Sequence, residues 1–280
     1  MPGRSPTLRR RRLGMELRRL RESSGFTIDR VAKSLECSDS KISRIETGQV
    51  AATPRDVRDI LAIYGADDRK RDELMQIARE ARQKGWWHEF VDVKVPPGVA
   101  FETEANSISF YSALVVPGLL QIPDYARAVL QAIHHALPAE EIDRRVELRT
   151  ARQSLLSGED APKLWVVLDE AALRRRIGGS EVMRAQLERL CELGSSPNIT
   201  LQALPFASGA HAGLDGPFVL MGFPNPADPT FAYIEMTTSD FWLEDDAAVS
   251  RYDALFDHLR AAALPPAESL AFFATVAKEV

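Results

Sequence analysis

The stretch Thr27–Gly48, TIDRVAKSLECSDSKISRIETG, decides how this chain is read. It spells two short helices joined by a tight turn. Val31 and Leu35 lie on the inner side of the first, and Ile42 and Ile45, three apart, anchor the second. Ala32 is small where the second helix must cross the first closely. Thr27 and Ser38 stand where an N-cap hydroxyl would accept a backbone N–H, and Gly48 stands where a positive φ would end the second helix. Asp39, Ser40, Lys41, Ser43 and Arg44 then point outward. A short helix anchored by apolar residues and presenting small polar and basic ones is what a helix-turn-helix lays in the DNA major groove. Lys and Arg reach phosphates or guanine edges, and Ser reaches either. The residues expected to bind double-stranded DNA are Thr27, Ser38, Ser40, Lys41, Ser43 and Arg44.

From Leu13 to about Tyr64 the chain resembles the xenobiotic-response-element type of lambda-repressor-like domain. LGMELRRLRESSGFTIDRVAKSLECSDSKISRIETG looks like its opening and TPRDVRDILAIYG like its following helix, with SKISRIETG the most specific piece. Three positions depart from the pattern. Ile28 stands where many members carry Gln, and Asp39 where many carry Gln in the recognition helix. An acid there repels phosphate but can accept from cytosine. Glu36 stands at a turn position often held by Gly, so it must bear any positive φ at some cost.

Charge is distributed unevenly. The 280 residues carry a net charge of −5, yet residues 1–50 hold 12 Lys and Arg against 6 Asp and Glu, and the remainder 23 against 34. A basic head on an acidic body suits a protein that meets DNA with one face. Arg9 to Arg12 form a basic run just before the first helix, readable as an arm that reaches along the backbone or into a minor groove, or equally as a solvated tail. No apolar run is long enough to span a bilayer, no secretory signal is visible, and two cysteines, Cys37 and Cys191, make no disulfide framework. These features imply a cytoplasmic protein with no membrane partner.

Along the chain, Leu13, Leu17 and Leu20 mark an opening helix, Thr53-Pro54 starts a fourth, and Asp67 to Lys84 reads as a fifth. Val95-Pro96-Pro97-Gly98 is a linker signal. The expected domains are therefore a helix-turn-helix head over 1–84 (with the basic arm over 1–12), a linker over 85–98 and a second domain over 99–280. In the second domain, helices are expected at about Phe101 to Leu114, Pro123 to His135, Ala139 to Leu156, Ser180 to Leu193, Ala247 to Ala263 and Ala267 to Ala277. Strands are expected at Leu164 to Leu168, Ile199 to Leu204, Phe218 to Phe223, Phe231 to Met236 and Phe241 to Leu243, with a Pro/Asn/Asp turn cluster between the third and fourth. The fold class is multi-domain α and α+β: a five-helix lambda-repressor-like head and a mixed α/β domain with about four to five strands.

Further segments carry a wider resemblance. GWW at Gly85, PGLLQIPDYARAVL at Pro117, RRVELRTARQ at Arg144, LWVVLDEAALRR at Leu164, LPFASGAHAGLDGPFVL at Leu204 and YIE at Tyr233 look like one actinobacterial regulator family. It is similar to the Scr-type antitoxin-like and WhiJ-like regulators. The resemblance implies transcriptional control by a helix-turn-helix head, and a small partner protein bound by a C-terminal regulatory domain.

Catalytic chemistry is weakly signalled. Asp169 and Glu170 end a strand but fit better as caps of the helix that follows. SGAHAGLDG over Ser208 to Gly216, with His211, fits neither the phosphate-binding loop nor the dinucleotide fingerprint and reads as a hairpin or lid loop. No CxxC or HExxH pattern occurs, and His88, His134 and His135 lack metal spacing. The expectation is a non-enzymatic, sequence-specific transcription regulator, acting as a homodimer, without cofactor or metal. Two alternatives stand beside it: an antitoxin-like protein that mainly neutralises a small protein and autoregulates, and an enzyme of unknown reaction in the second domain.

Overall fold

The computed structural model describes residues 6–82, 85–96, 98–225, 228 and 230–280. Residues 1–5 of the expected arm, Gln83 and Lys84 of the expected fifth helix, Pro97 of the linker signal and Pro226, Ala227 and Pro229 of the turn cluster lie outside the described residues. Two compact units form. One comprises Met1–Glu89 with Pro96–Glu104, the other Phe90–Val95 with Ala105–Val280.

The first unit contains α1 (Pro6–Ser23), α2 (Ile28–Ser34), α3 (Asp39–Glu46), α4 (Pro54–Tyr64), α5 (Asp68–Glu80) and the short α6 (Gly98–Glu102). Its core gathers Leu13 and Leu17 of α1, Val31 and Ala32 of α2, Ile42 and Ile45 of α3, Val57, Ile60 and Leu61 of α4, and Leu74 and Ala78 of α5. Leu13, Leu17, Val31, Ile42 and Ile45 among them are residues that helical spacing placed inward. The start of α1 differs from expectation. The helix begins at Pro6 and Leu8 is buried, so Arg9 to Arg12 are helical. Arg9 lies 3.1 Å from Glu80, Arg12 lies 3.7 Å from Glu73, and Arg10 Nε donates to the carbonyl of Ala81 at 3.2 Å. The basic run is a helical turn fastened to α5 and the chain beyond it, not a free arm.

The second unit holds β1 (Ser107–Ser112), α7 (Pro123–Ile133), α8 (Ala139–Arg152), β2 (Lys163–Asp169), α9 (Glu170–Arg174), α10 (Ser180–Leu193), β3 (Ile199–Leu204), β4 (Phe218–Gly222), β5 (Phe231–Glu235), β6 (Asp240–Leu243), α11 (Asp246–Ala262) and α12 (Pro266–Glu279). Among the described residues these strands form one six-stranded sheet in the order β3-β2-β1-β4-β5-β6. β1, β2 and β3 are parallel, joined through helices, whereas β4, β5 and β6 run antiparallel in meander order. α11 packs on the sheet, and α12 packs on β3 and α10.

The helix expected over Phe101 to Leu114 is absent. α6 ends at Glu102 and β1 follows, adding a central strand to the five expected. The alternation Ser107-Ile108-Ser109-Phe110 is a period-two signal too short to dominate its neighbourhood. Pairing on both edges, with β2 and with β4, decides the outcome.

Candidate nucleic-acid interface

The helix-turn-helix is built from its caps inward. Thr27 Oγ1 accepts from the Arg30 N–H at 3.2 Å, and Ser38 Oγ accepts from the Lys41 N–H at 3.2 Å. Each hydroxyl thereby satisfies one orphan donor of the helix it starts. Between them, Cys37 N–H donates to the Ala32 carbonyl at 2.9 Å and Glu36 N–H to the Lys33 carbonyl at 3.2 Å. This is the paired closure that ends a helix through a left-handed residue. Glu36 supplies that residue at φ 50°, the one non-glycine positive φ among the described residues. Gly48, at φ 69°, turns the chain after α3.

The angular positions along α3 sort the candidate residues. Ile42, Ile45 and Glu46 are buried, and successive residues turn by about 100°. Ser40 and Arg44 fall opposite that face. Lys41 and Ser43 fall on its two flanks, and Asp39 lies nearer the buried side, still exposed at the first turn. Thr27, Ser38, Ser40, Lys41 and Arg44 are exposed and Ser43 is half-buried. Arg44 has no ion-pair partner among the described residues. Lys41 is different: its Nζ lies 2.7 Å from Asp56 Oδ1 on the first turn of α4. That hydrogen bond raises the Lys41 pKa. Burial pushes the Asp56 carboxyl up, but the bonds from Lys41 and Thr53 outweigh it and hold the group below its ordinary value.

The inner side of α3 is held by a buried ion pair. Arg21 Nε donates to Glu46 Oε1 at 2.8 Å and Nη2 to Oε2 at 2.9 Å, a two-pronged contact. Arg21 Nη1 also donates to the Phe26 carbonyl at 3.1 Å. One guanidinium thus ties α1, the loop before α2, and α3. At Gly14, a Cβ would lie 2.5 Å from the Glu46 carbonyl oxygen, so α1 and α3 meet backbone to backbone there.

The second unit places its expected polar residues in structural roles. Asp169 caps α9, accepting from the Ala171 N–H at 2.8 Å. Glu170 is buried, pairs with Arg174 and accepts from the Phe206 N–H at 2.7 Å. His211 Nδ1 accepts from the Gly213 N–H at 3.2 Å, which leaves Nε2 to face Asp169 Oδ2 at 3.5 Å. Tyr111 sits edge-on to that imidazole, and its hydroxyl pKa is raised by burial and by the Asp169 carboxylate. The 208–216 loop is therefore pinned across the carboxyl ends of β1 and β2. Among the described residues no group of three or more His, Cys, Asp or Glu is arranged to hold a metal ion.

Residues 97–275, well over half the chain, match the family described as a domain of unknown function, DUF5753. The chain belongs to this family. Residues 12–74 match a helix-turn-helix domain, which supports a DNA-binding regulator. No curated protein and no solved structure matches the chain. No helix among the described residues is long and apolar enough to cross a membrane.

Sequence reasoning missed Arg21, Glu46, Gly14 and Asp56. Gly14 carried a weak signal, since a glycine inside a helical pattern costs about 1 kcal/mol relative to alanine. Asp56 carried one too: Thr53-x-x-Asp56 has capping-box spacing. The Arg21–Glu46 pair spans 25 residues and has no local signature.

Proposed function

We propose that this protein is a sequence-specific DNA-binding transcription regulator that acts as a homodimer, with a second unit that binds a small partner protein or an effector. The observation that carries the reading is the two-sided character of α3. Its inner face is fixed by Ile42, Ile45 and the Arg21–Glu46 pair, while Ser40 and the exposed Arg44 project from the opposite side. A side chain held at that position on a rigid helix reaches base edges in a major groove, with Arg suited to guanine and Ser to base or phosphate. Thr27, Ser38 and Ser43 flank this row, and the cap hydroxyls keep a hydrogen free to donate to phosphate. A homodimer would read two half-sites about one helical turn apart, which gives a small head added affinity and specificity.

For the second unit we assign binding, not catalysis. Asp169 and Glu170 are engaged as a helix cap and an ion pair, which supports a scaffold role. The test is fluorescence anisotropy of the full chain on DNA from its own upstream region against scrambled DNA, at two salt concentrations. Preference for the native fragment that survives the higher salt is expected. Equal and salt-sensitive binding to both would overturn sequence-specific regulation.

A further inference from the structure

We infer that Asp56 is a specificity-determining positioning residue: it holds the Lys41 ammonium on the α4 side of the recognition helix, away from the DNA backbone. The inference rests on the DNA-binding reading above. Lys41 is a basic side chain on the first turn of α3, flanking the row of Ser40 and Arg44. Left to itself, a lysine there would swing to any phosphate within reach, adding affinity for every sequence alike. Its Nζ instead lies 2.7 Å from Asp56 Oδ1.

The Asp56 carboxylate is built to stay in place. Its Oδ2 accepts from Thr53 N–H at 3.1 Å and from Thr53 Oγ1 at 2.7 Å, while its own N–H donates back to Thr53 Oγ1 at 3.0 Å. These bonds form the capping box of α4, whose helix is anchored by the fully buried Val57, Ile60 and Leu61. Asp56 and Lys41 both line a cleft of about 300 Å³ bordered by α3, α4 and the turn before α3. The lysine is flexible and the carboxylate is not, so the pair comes to rest where the carboxylate is. Arg55 and Arg58 are occupied separately by Asp59, so Asp56 serves Lys41. The consequence is that the exposed basic reach of α3 falls to Arg44, a residue able to discriminate bases, while the less selective ammonium is withheld.

The test uses the full chain with Asp56→Asn, which keeps an oxygen for Thr53 and removes the charge that holds Lys41. Binding to scrambled duplex is measured by anisotropy across a salt series, with Lys41→Gln and the double variant completing a cycle. Asp56→Asn is expected to strengthen scrambled-DNA binding roughly threefold to tenfold near physiological salt. It should also steepen the slope of log K against log salt by about 0.9, one added phosphate contact. Held by Asp56, the Lys41 ammonium leaves the set of groups expected to touch DNA. Lys41→Gln alone should therefore leave that slope unchanged, and the double variant should return to the parent. If the double variant keeps the gain, the effect is loss of an acidic charge and the inference is overturned. If Asp56→Asn fails to fold, Lys41→Gln still decides, because a slope shallower by about 0.9 would place Lys41 on a phosphate already. A parent protein that binds no DNA overturns the functional reading and this inference together. A parent that binds, with an unmoved slope in Asp56→Asn, overturns this inference alone.

Discussion

Glu36 takes φ 50° so that the chain can leave α2 and enter α3 within a few residues. A left-handed conformation costs a residue with a Cβ roughly 1–2 kcal/mol, and glycine avoids that cost at the price of a more flexible unfolded chain. Glu36→Gly should therefore stabilise the head by about 0.5–1 kcal/mol. Amide exchange of α2 and α3 would register this as slower opening, and faster opening would mean that the Glu36 side chain contributes more than its strain costs. Arg44 lives at the same scale with the opposite profile. It is exposed and has no ion-pair partner among the described residues, so Arg44→Ala should leave the melting temperature unchanged while weakening binding to the cognate site by about 1–3 kcal/mol. A large fall in melting temperature would make Arg44 structural instead.

Between elements, the Arg21–Glu46 pair fixes α3 to α1. Both side chains are nearly inaccessible, and the glutamate hydrogen bond raises the Arg21 pKa further. Removing one partner from such a pair leaves a buried charge alone, which costs about 3–5 kcal/mol, whereas replacing both with apolar residues of similar volume is often close to neutral. Arg21→Met should cripple the head in urea unfolding, and Arg21→Met with Glu46→Met should recover most of the loss. A double variant no better than the single would show that the Arg21 bond to the Phe26 carbonyl, not the ion pair, is what matters. This pair also marks the limit of what was legible beforehand. The caps at Thr27, Ser38 and Thr53, the inner rows of α2, α3 and α4, and strands such as Ile199–Leu204 follow from local periodicity and turn chemistry, and they lie where such reasoning puts them. β1 did not, because its identity comes from neighbours at Lys163–Leu168 and Phe218–Gly222. The partners of Lys41, Arg9 and Arg21 did not either, since each contact joins residues 15 to 71 apart.

Across the whole molecule, charge and acid response divide along the two units. The first unit holds 20 Lys and Arg against 16 Asp and Glu and the second 15 against 24, so salt should weaken DNA binding through the head without a matching attraction from the rest of the chain. Acid should act in the reverse order. In the head, Glu16 and Asp56 have pKa values below their ordinary 4.5 and 3.8: burial opposes the shift in both, while Lys70 for one and Lys41 with Thr53 for the other outweigh it. Carboxyls depressed in the fold stabilise it above their unfolded values and lose that contribution as pH falls through the folded ones, so the head should hold until below about pH 4. In the second unit, His134 closes α7 with its Nε2 3.2 Å from Arg145 Nη1 of α8. Burial, then Arg145 and Arg149, with Lys94 adding and Glu141 opposing, hold its pKa below the ordinary 6.5. The fold favours the neutral imidazole, whereas the unfolded chain takes up a proton below pH 6.5, so this contribution is full above that value and is lost as pH falls through the folded pKa. Amide exchange compared at pH 7 and pH 5, corrected for intrinsic rates, should show α7 and α8 losing protection while α4 keeps it. His134→Gln should remove the pH dependence of α7 and α8 and leave α4 as it was. Equal loss in the variant would assign the acid response to a group other than His134, and earlier loss in α4 would place the weaker acid limb in the head.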